Sequence, residues 1–268
     1  MMKPKYSANT KKIIPGQVSL DKTGFNQLMK TRYILIIILA CLSCKKDNCL
    51  NSTGKTTKLE RITGPFHSIQ VKDIFDLVLT QDSSTFITIE GGANLLPFIS
   101  TNVKDCVLIL DNDLDCRWAR EYGRIKVHVH LVETRDLILD TPCNVKTTNH
   151  LDGYEIRFWP VADLNEADLQ LNCTRFFLKS SYTANGIIKL RGKVDFVNLI
   201  PFGTMEIDAS QLIGNKVEVS HYSNNKVTVY PVQYLKAWLY GPGNLYYNNI
   251  PAEIIPEINS TGKILFKE

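Results

Sequence analysis

The sequence predicts an all-β protein, and within that class a single-stranded β-helix or β-solenoid with about 20 residues per coil. Apolar and polar residues alternate at period two through most of the chain. From about residue 135, short alternating segments recur with centres roughly ten residues apart, so that alternate centres fall roughly twenty apart. Asn, Asp and Gly punctuate the gaps, and these residues tolerate the left-handed backbone that tight corners require. A meander folded into a β-sandwich is the rival architecture.

Residues 1–43 form an upstream segment and an export signal. Residues 1–28 are polar, and Met29 opens a compact basic start, Met29-Lys30-Thr31-Arg32. The apolar run 33–43 is too short to span a bilayer, which takes about 20 residues. A basic stretch, a short apolar run and a small residue before a Cys describe a signal peptide of the bacterial lipoprotein type. The expected cleavage is between Ser43 and Cys44, with Cys44 taking the lipid and Cys41 as the alternative site. Residues 1–43 hold seven Lys or Arg against one acid. Without them the formal charge of +4 becomes −2, and nucleic acid loses its electrostatic argument.

Residues 44–60 are polar and are expected to be a flexible tether to a repetitive β domain over 61–268. In its N-terminal part, 61–134, Phe75, Leu77 and Leu79 alternate with Asp76, Val78 and Thr80, and Ile87 and Ile89 precede a break at Gly91-Gly92. One helical turn is expected over 94–99, then strands around Val107–Leu110 and Ile125–Leu131. The regular coils of 135–266 follow, with short strand cores such as Leu137–Leu139, Leu169–Leu171, Phe177–Lys179 and Val217–Val219. One such coil buries too little apolar surface to offset its own ordering entropy, so repetition is a physical requirement.

Seven cysteines occur without a Cys-x-x-Cys pair, so a zinc site or a thioredoxin-like motif is not supported. With Cys41 cleaved off and Cys44 acylated, Cys49, Cys106, Cys116, Cys143 and Cys173 remain, and are expected mostly as buried thiols, with one or two disulfides as the alternative.

The segments Gly64-Pro65-Phe66-His67-Ser68-Ile69-Gln70-Val71 and Phe75–Gln81 resemble the opening of the putative auto-transporter adhesin family, also called the head GIN domain. Ile87–Pro97 is similar to its second signature, and Gly241–Tyr247 with Ser260–Ile264 to its last coil. Cys106 stands where that family usually has Gly. The resemblance covers about residues 60–266 and implies a repetitive β-helical domain on cell-envelope lipoproteins, with no catalytic residues to carry over.

Asp111, Asp113 and Asp115 alternate as a calcium loop would, but Cys116 and Tyr122 stand where an EF-hand needs Gly and Glu. A looser metal site there is the weaker alternative to a solvated acidic turn. His128 and His130 share a strand face without a third ligand nearby, and His67, His150 and His221 are isolated. Asp163, Glu166 and Asp168 cluster, as paired glycosidase acids do, but their spacing fits a turn equally well. Tyr234, Trp238 and Tyr240 are read as one strand face, with Tyr246 and Tyr247 on the next coil: either a sugar-stacking strip or an aromatic ladder over the last coil.

No phosphate loop, Gly-x-Ser-x-Gly or dinucleotide fingerprint is present, and no cofactor is expected. The sequence therefore points to a non-enzymatic lipoprotein, adhesin-like, on the outer membrane of a Gram-negative cell. It is expected to be surface-exposed, with a periplasm-facing placement as the alternative. Its expected partners are the membrane, through the lipid, and a glycan or an envelope or host surface protein. A polysaccharide-acting enzyme, or a structural or signalling partner of another envelope protein, are the alternatives.

Overall fold

The computed structural model describes residues 52–114, 123–163 and 165–268. Expectations for Met29, Cys41, Cys44, Cys49, Asp115 and Cys116 lie outside these residues. Among the described residues seventeen strands are joined in one continuous sheet. In the first part these are β1 (Thr56–Ile62), β2 (Ser68–Val71), β3 (Phe75–Gln81), β4 (Phe86–Gly92), β5 (Ile99–Lys104), β6 (Val107–Asn112) and β7 (Ile125–Leu131). Then come β8 (Asp136–Leu139), β9 (Asn144–Thr147), β10 (Leu151–Pro160), β11 (Asn165–Lys179), β12 (Asn185–Ile200), β13 (Thr204–His221) and β14 (Val227–Leu239). The chain closes with β15 (Leu245–Tyr247), β16 (Glu253–Ile258) and β17 (Ile264–Phe266). The sheet winds into a β-solenoid of about 6 turns with roughly 20 residues per turn, and the sandwich is excluded.

Parallel pairing in register stacks like residues on like. On one wall Leu77, Val145, Ala167, Ile188, Ile207, Val227 and Leu245 form a single inward row. On the other, Ile69, Leu137, Phe158, Leu178, Leu199, Val219 and Ala237 do the same. These residues are all buried, and the core is the space between the two rows. The first wall comprises β3, β9, the leading halves of β11 to β14, β15 and β17. The second comprises β2, β8, the trailing parts of β10 to β14, and β16.

Most of the short strands expected from residue 135 onward are joined in pairs, while β8 and β15 remain separate short strands. Segments 169–171 and 177–179 are two arms of one bent strand, β11, and β12 to β14 bend likewise. The bend row is Leu151, Leu171, Gly192 and Leu212. At Gly192 the φ angle is +116°, and an added Cβ would lie 2.0 Å from the Leu171 carbonyl oxygen, so glycine is required there. At the other corner the buried Asn165 accepts a 3.0 Å bond from the Cys143 N–H and donates at 2.8 Å to the Ala162 carbonyl, tying successive coils together.

The N-terminal part is not laid down in order. β2 lies between β6 and β8, and β3 between β7 and β9, all parallel. The chain forms one coil, leaves it, returns on its outer side as β6 and β7, and then continues on its inner side. Antiparallel strands close that end: β5 on β6, β4 on β7 and β1 on β4. β1 thus begins within the segment expected to be tether. Its polar residues suit an exposed edge strand, and the Arg61 guanidinium donates at 3.0 Å to Thr101 Oγ1 and at 3.1 Å to the Leu96 carbonyl, bridging the two walls. The expected helical turn is a single 3-10 turn, Leu96–Phe98.

At the opposite end the Asn259 N–H donates to the Leu239 carbonyl at 2.9 Å. Strand alternation then turns the nitrogen of Pro256 toward the open edge. Proline there forfeits no ladder bond and obstructs the addition of another strand.

Candidate functional site

The outer surfaces of the two walls differ in chemistry. Across the first, one row runs Lys146, Asp168, Lys189, Asp208, so each lysine lies beside a carboxylate on a neighbouring coil. Asp168 accepts from Arg191 Nε at 3.1 Å, and Asp76 accepts from Asn144 Nδ2 at 2.9 Å. A groove of about 430 Å³ is lined here by Asp76, Lys126, Lys146, Glu166, Asp168 and Lys189, among others. Glu166 and Asp168 point outward from β11, while Asp163 lies in the loop before it. Asp76 and Asp168 are engaged by guanidinium or amide groups, which suits structural carboxylates better than proton donors.

The second wall carries aromatic and basic groups outward. Arg157 pairs across strands with Phe177, and Arg175 with Phe196. Phe177 lies beside Asn198, Phe196 beside Lys216, and Lys216 beside Tyr234. Trp159 opens this surface and Trp238 lies near its far end, four strand steps or about 19 Å away at the usual inter-strand spacing. The guanidinium of Arg175 sits 4.9 Å from the Phe177 ring centre and 5.5 Å from that of Phe196, with Glu155 at 3.5 Å on its other side. Lys236 Nζ lies 4.6 Å from the Trp238 ring centre. Burial, and then the Glu218 carboxylate, which accepts from the Tyr234 hydroxyl at 3.4 Å, push the Tyr234 phenol pKa upward.

The candidate aromatics Tyr234, Trp238 and Tyr240, read as one strand face, and Tyr246, read on the next coil, are divided among three places. Tyr234 and Trp238 are on the second wall. Tyr240 lies past the end of β14, in a corner stack with Tyr182, Phe202 and Tyr222, whose successive ring centres are 4.4, 4.5 and 4.6 Å apart. Tyr246 lies around the corner on the first wall, beside Thr228. The chain turns between β14 and β15, so two-residue spacing no longer implies a common face. Trp159, Phe177 and Phe196 are the members missed. Their signal is an outward position repeated at about 20 residues rather than at two.

His128 and His130 share the outer face of β7 but face separate carboxylates, Glu90 at 3.6 Å and Asp82 at 2.7 Å. Asp111 accepts from the Asn112 N–H and Asn112 Oδ1 from the Leu114 N–H, a local turn. Among the described residues no three metal-ligating side chains gather. Cys143 and Cys173 are buried free thiols and Cys106 is an exposed one.

Fold and surface define the class as a parallel β-solenoid that presents flat, chemically distinct walls. The chain belongs to the family described as "Putative auto-transporter adhesin, head GIN domain", which matches residues 65–251. It is similar in fold to a putative adhesin from Bacteroides fragilis, at 22% identity and a TM-score of 0.74, covering 80% of this chain and 97% of that one. A putative adhesin from Parabacteroides merdae matches at 18% identity and a TM-score of 0.63, again over 80% and 97%. A putative lipid binding protein from Parabacteroides distasonis matches at 16% and 0.54, over 80% and 98%. No curated protein matches the chain. Among the described residues no helix is long and apolar enough to cross a membrane.

Proposed function

We propose that this protein is a non-enzymatic, adhesin-like binding module of the cell envelope, held by a lipid on Cys44 at the outer membrane and facing outward. It binds a glycan through the second wall. The observation that carries this reading is the concentration of Trp159, Phe177, Phe196 and Trp238 on one flat outer surface, whose rings offer π faces and edges to sugar rings. The family description supports an envelope or surface role. The export signal and Cys44 support the anchor.

The test is a glycan and matrix-protein binding screen with the compact unit Cys49–Glu268. Trp159→Ala and Trp238→Ala are expected to lower affinity for whatever binds. Unchanged affinity in both would remove the second wall from the function.

A further inference from the structure

The second wall carries more information than its aromatic content. Two of its lysines have no carboxylate as a cross-strand partner. Lys216 lies between Phe196 and Tyr234 on the adjoining coils. Lys179 pairs with Ile200 on one side, and the register that sets Phe158 beside Leu178 sets it beside Trp159 on the other. Among the described residues neither ammonium forms an ion pair; Glu155 is paired with Arg175, while Glu218, two residues along the same face from Lys216, accepts from the Tyr234 hydroxyl at 3.4 Å and from Asn198 Nδ2 at 3.5 Å. The lysines of the first wall, in contrast, alternate with acids. Lysines without a carboxylate cross-strand partner are therefore placed where the rings are.

Position sharpens the reading. Lys179, Asn198 and Lys216 lie on successive strands, each displaced by one outward position, and so form a diagonal across the wall. Phe177 and Phe196 form a parallel diagonal beside it, with ring centres 5.9 Å apart. From strand spacing and rise, the two lysines are about 16 Å apart, farther than one sugar ring reaches. We propose that this double diagonal is the binding track of an acidic polysaccharide. Sugar rings lie over Phe177 and Phe196, carboxylate or sulfate groups reach Lys179 and Lys216, and Asn198 meets a hydroxyl between them. This rests on the reading of the second wall as the binding surface and adds the ligand's charge, its polymeric nature and its direction.

The experiment measures binding of Cys49–Glu268 to polygalacturonate, dextran sulfate and uncharged dextran at low and at raised salt. The two acidic polymers distinguish carboxylate from sulfate. At least one of them is expected to bind, with dextran at least tenfold weaker. The double variant Lys179→Ala/Lys216→Ala is expected to lose about tenfold in affinity for the acidic polymer, as loss of charge-assisted contacts implies. The first-wall variant Lys126→Ala/Lys146→Ala is expected to bind unchanged. Equal binding of dextran, or equal loss in the two double variants, overturns the acidic track and leaves the wall's glycan role standing. No binding to any of the three also overturns the acidic track, and the glycan screen with Trp159→Ala and Trp238→Ala then decides the wall's wider role.

Discussion

Tyr222 and Tyr240 stack with ring centres 4.6 Å apart and planes within 15°, although eighteen residues separate them in the chain. Phe202 continues the stack below Tyr222 at 4.5 Å and 12°, and Tyr182 meets Phe202 at 4.4 Å. The ring faces inside this stack are occupied by one another, so the corner works as a staple between coils rather than as a platform for a ligand.

Removing the centre of the staple should therefore be costly. Phe202 is only 8% exposed and has a ring on each side, whereas Tyr182 is 79% exposed at the end of the stack. Phe202→Ala is expected to destabilise by about 3 kcal/mol and Tyr182→Ala by under about 1 kcal/mol. Urea denaturation of the two variants checks this, and equal losses would show that the stack does not hold the coils.

Asp105 and Cys106 form the two-residue turn of the β5–β6 hairpin, with φ of +51° and +60°. This is the turn geometry that favours glycine at its second position. Cys106→Gly relieves left-handed strain worth about 1–2 kcal/mol, partly offset by the added freedom of the unfolded chain. A net gain of up to about 1 kcal/mol is expected in the same assay. The thiol itself is exposed, while burial pushes the Cys143 thiol pKa up and that of Cys173 up to about 12. Peptide mapping after brief treatment with a thiol reagent at pH 8 should find label on Cys106 and none on Cys143 or Cys173, because the thiolate is the reactive form.

His221 is fully buried at the end of β13, and burial lowers its pKa from 6.5 to about 4, with the backbone of Asn225 and Asn244 offsetting only part of that. The folded state therefore binds its proton less readily than the unfolded chain. Its contribution is fully present above about pH 6.5, declines as pH falls, and is lost by about pH 4, a change on the order of 3 kcal/mol. Denaturation curves between pH 7 and pH 4 should show this slope, and His221→Phe should flatten part of it. Identical slopes in both proteins would assign the acid sensitivity to carboxylates elsewhere.

The anchor has its own check. Cys44→Ala in the full chain is expected to abolish palmitate labelling. Label that persists would overturn the assignment to Cys44 and move the site to Cys41.

Much of the architecture is written locally. Val145, Ile207 and Val219 alternate with polar neighbours because each strand has one face in the core, and the twenty-residue recurrence follows from one circuit of the coil. That the family usually has Gly at position 106 came from the resemblance, and the positive φ of that turn supplies its physical reason. The order of β2, β3, β6 and β7 was not legible, because the alternation that makes a strand does not say which strand lies beside it.

The binding face divides in the same way. The sequence determined, unaided, that the chain is all-β, that it repeats at about twenty residues, and which side chains point inward, because these follow from backbone geometry within a few residues. Only the tertiary structure decided that Tyr240 and Tyr246 leave the surface of Trp238, and that Phe177 and Phe196 lie together beside Lys179 and Lys216. Each bend turns the chain onto a new wall, and parallel stacking brings residues one circuit apart within about 5 Å, so outer neighbours are set by the winding and not by the local run of residues.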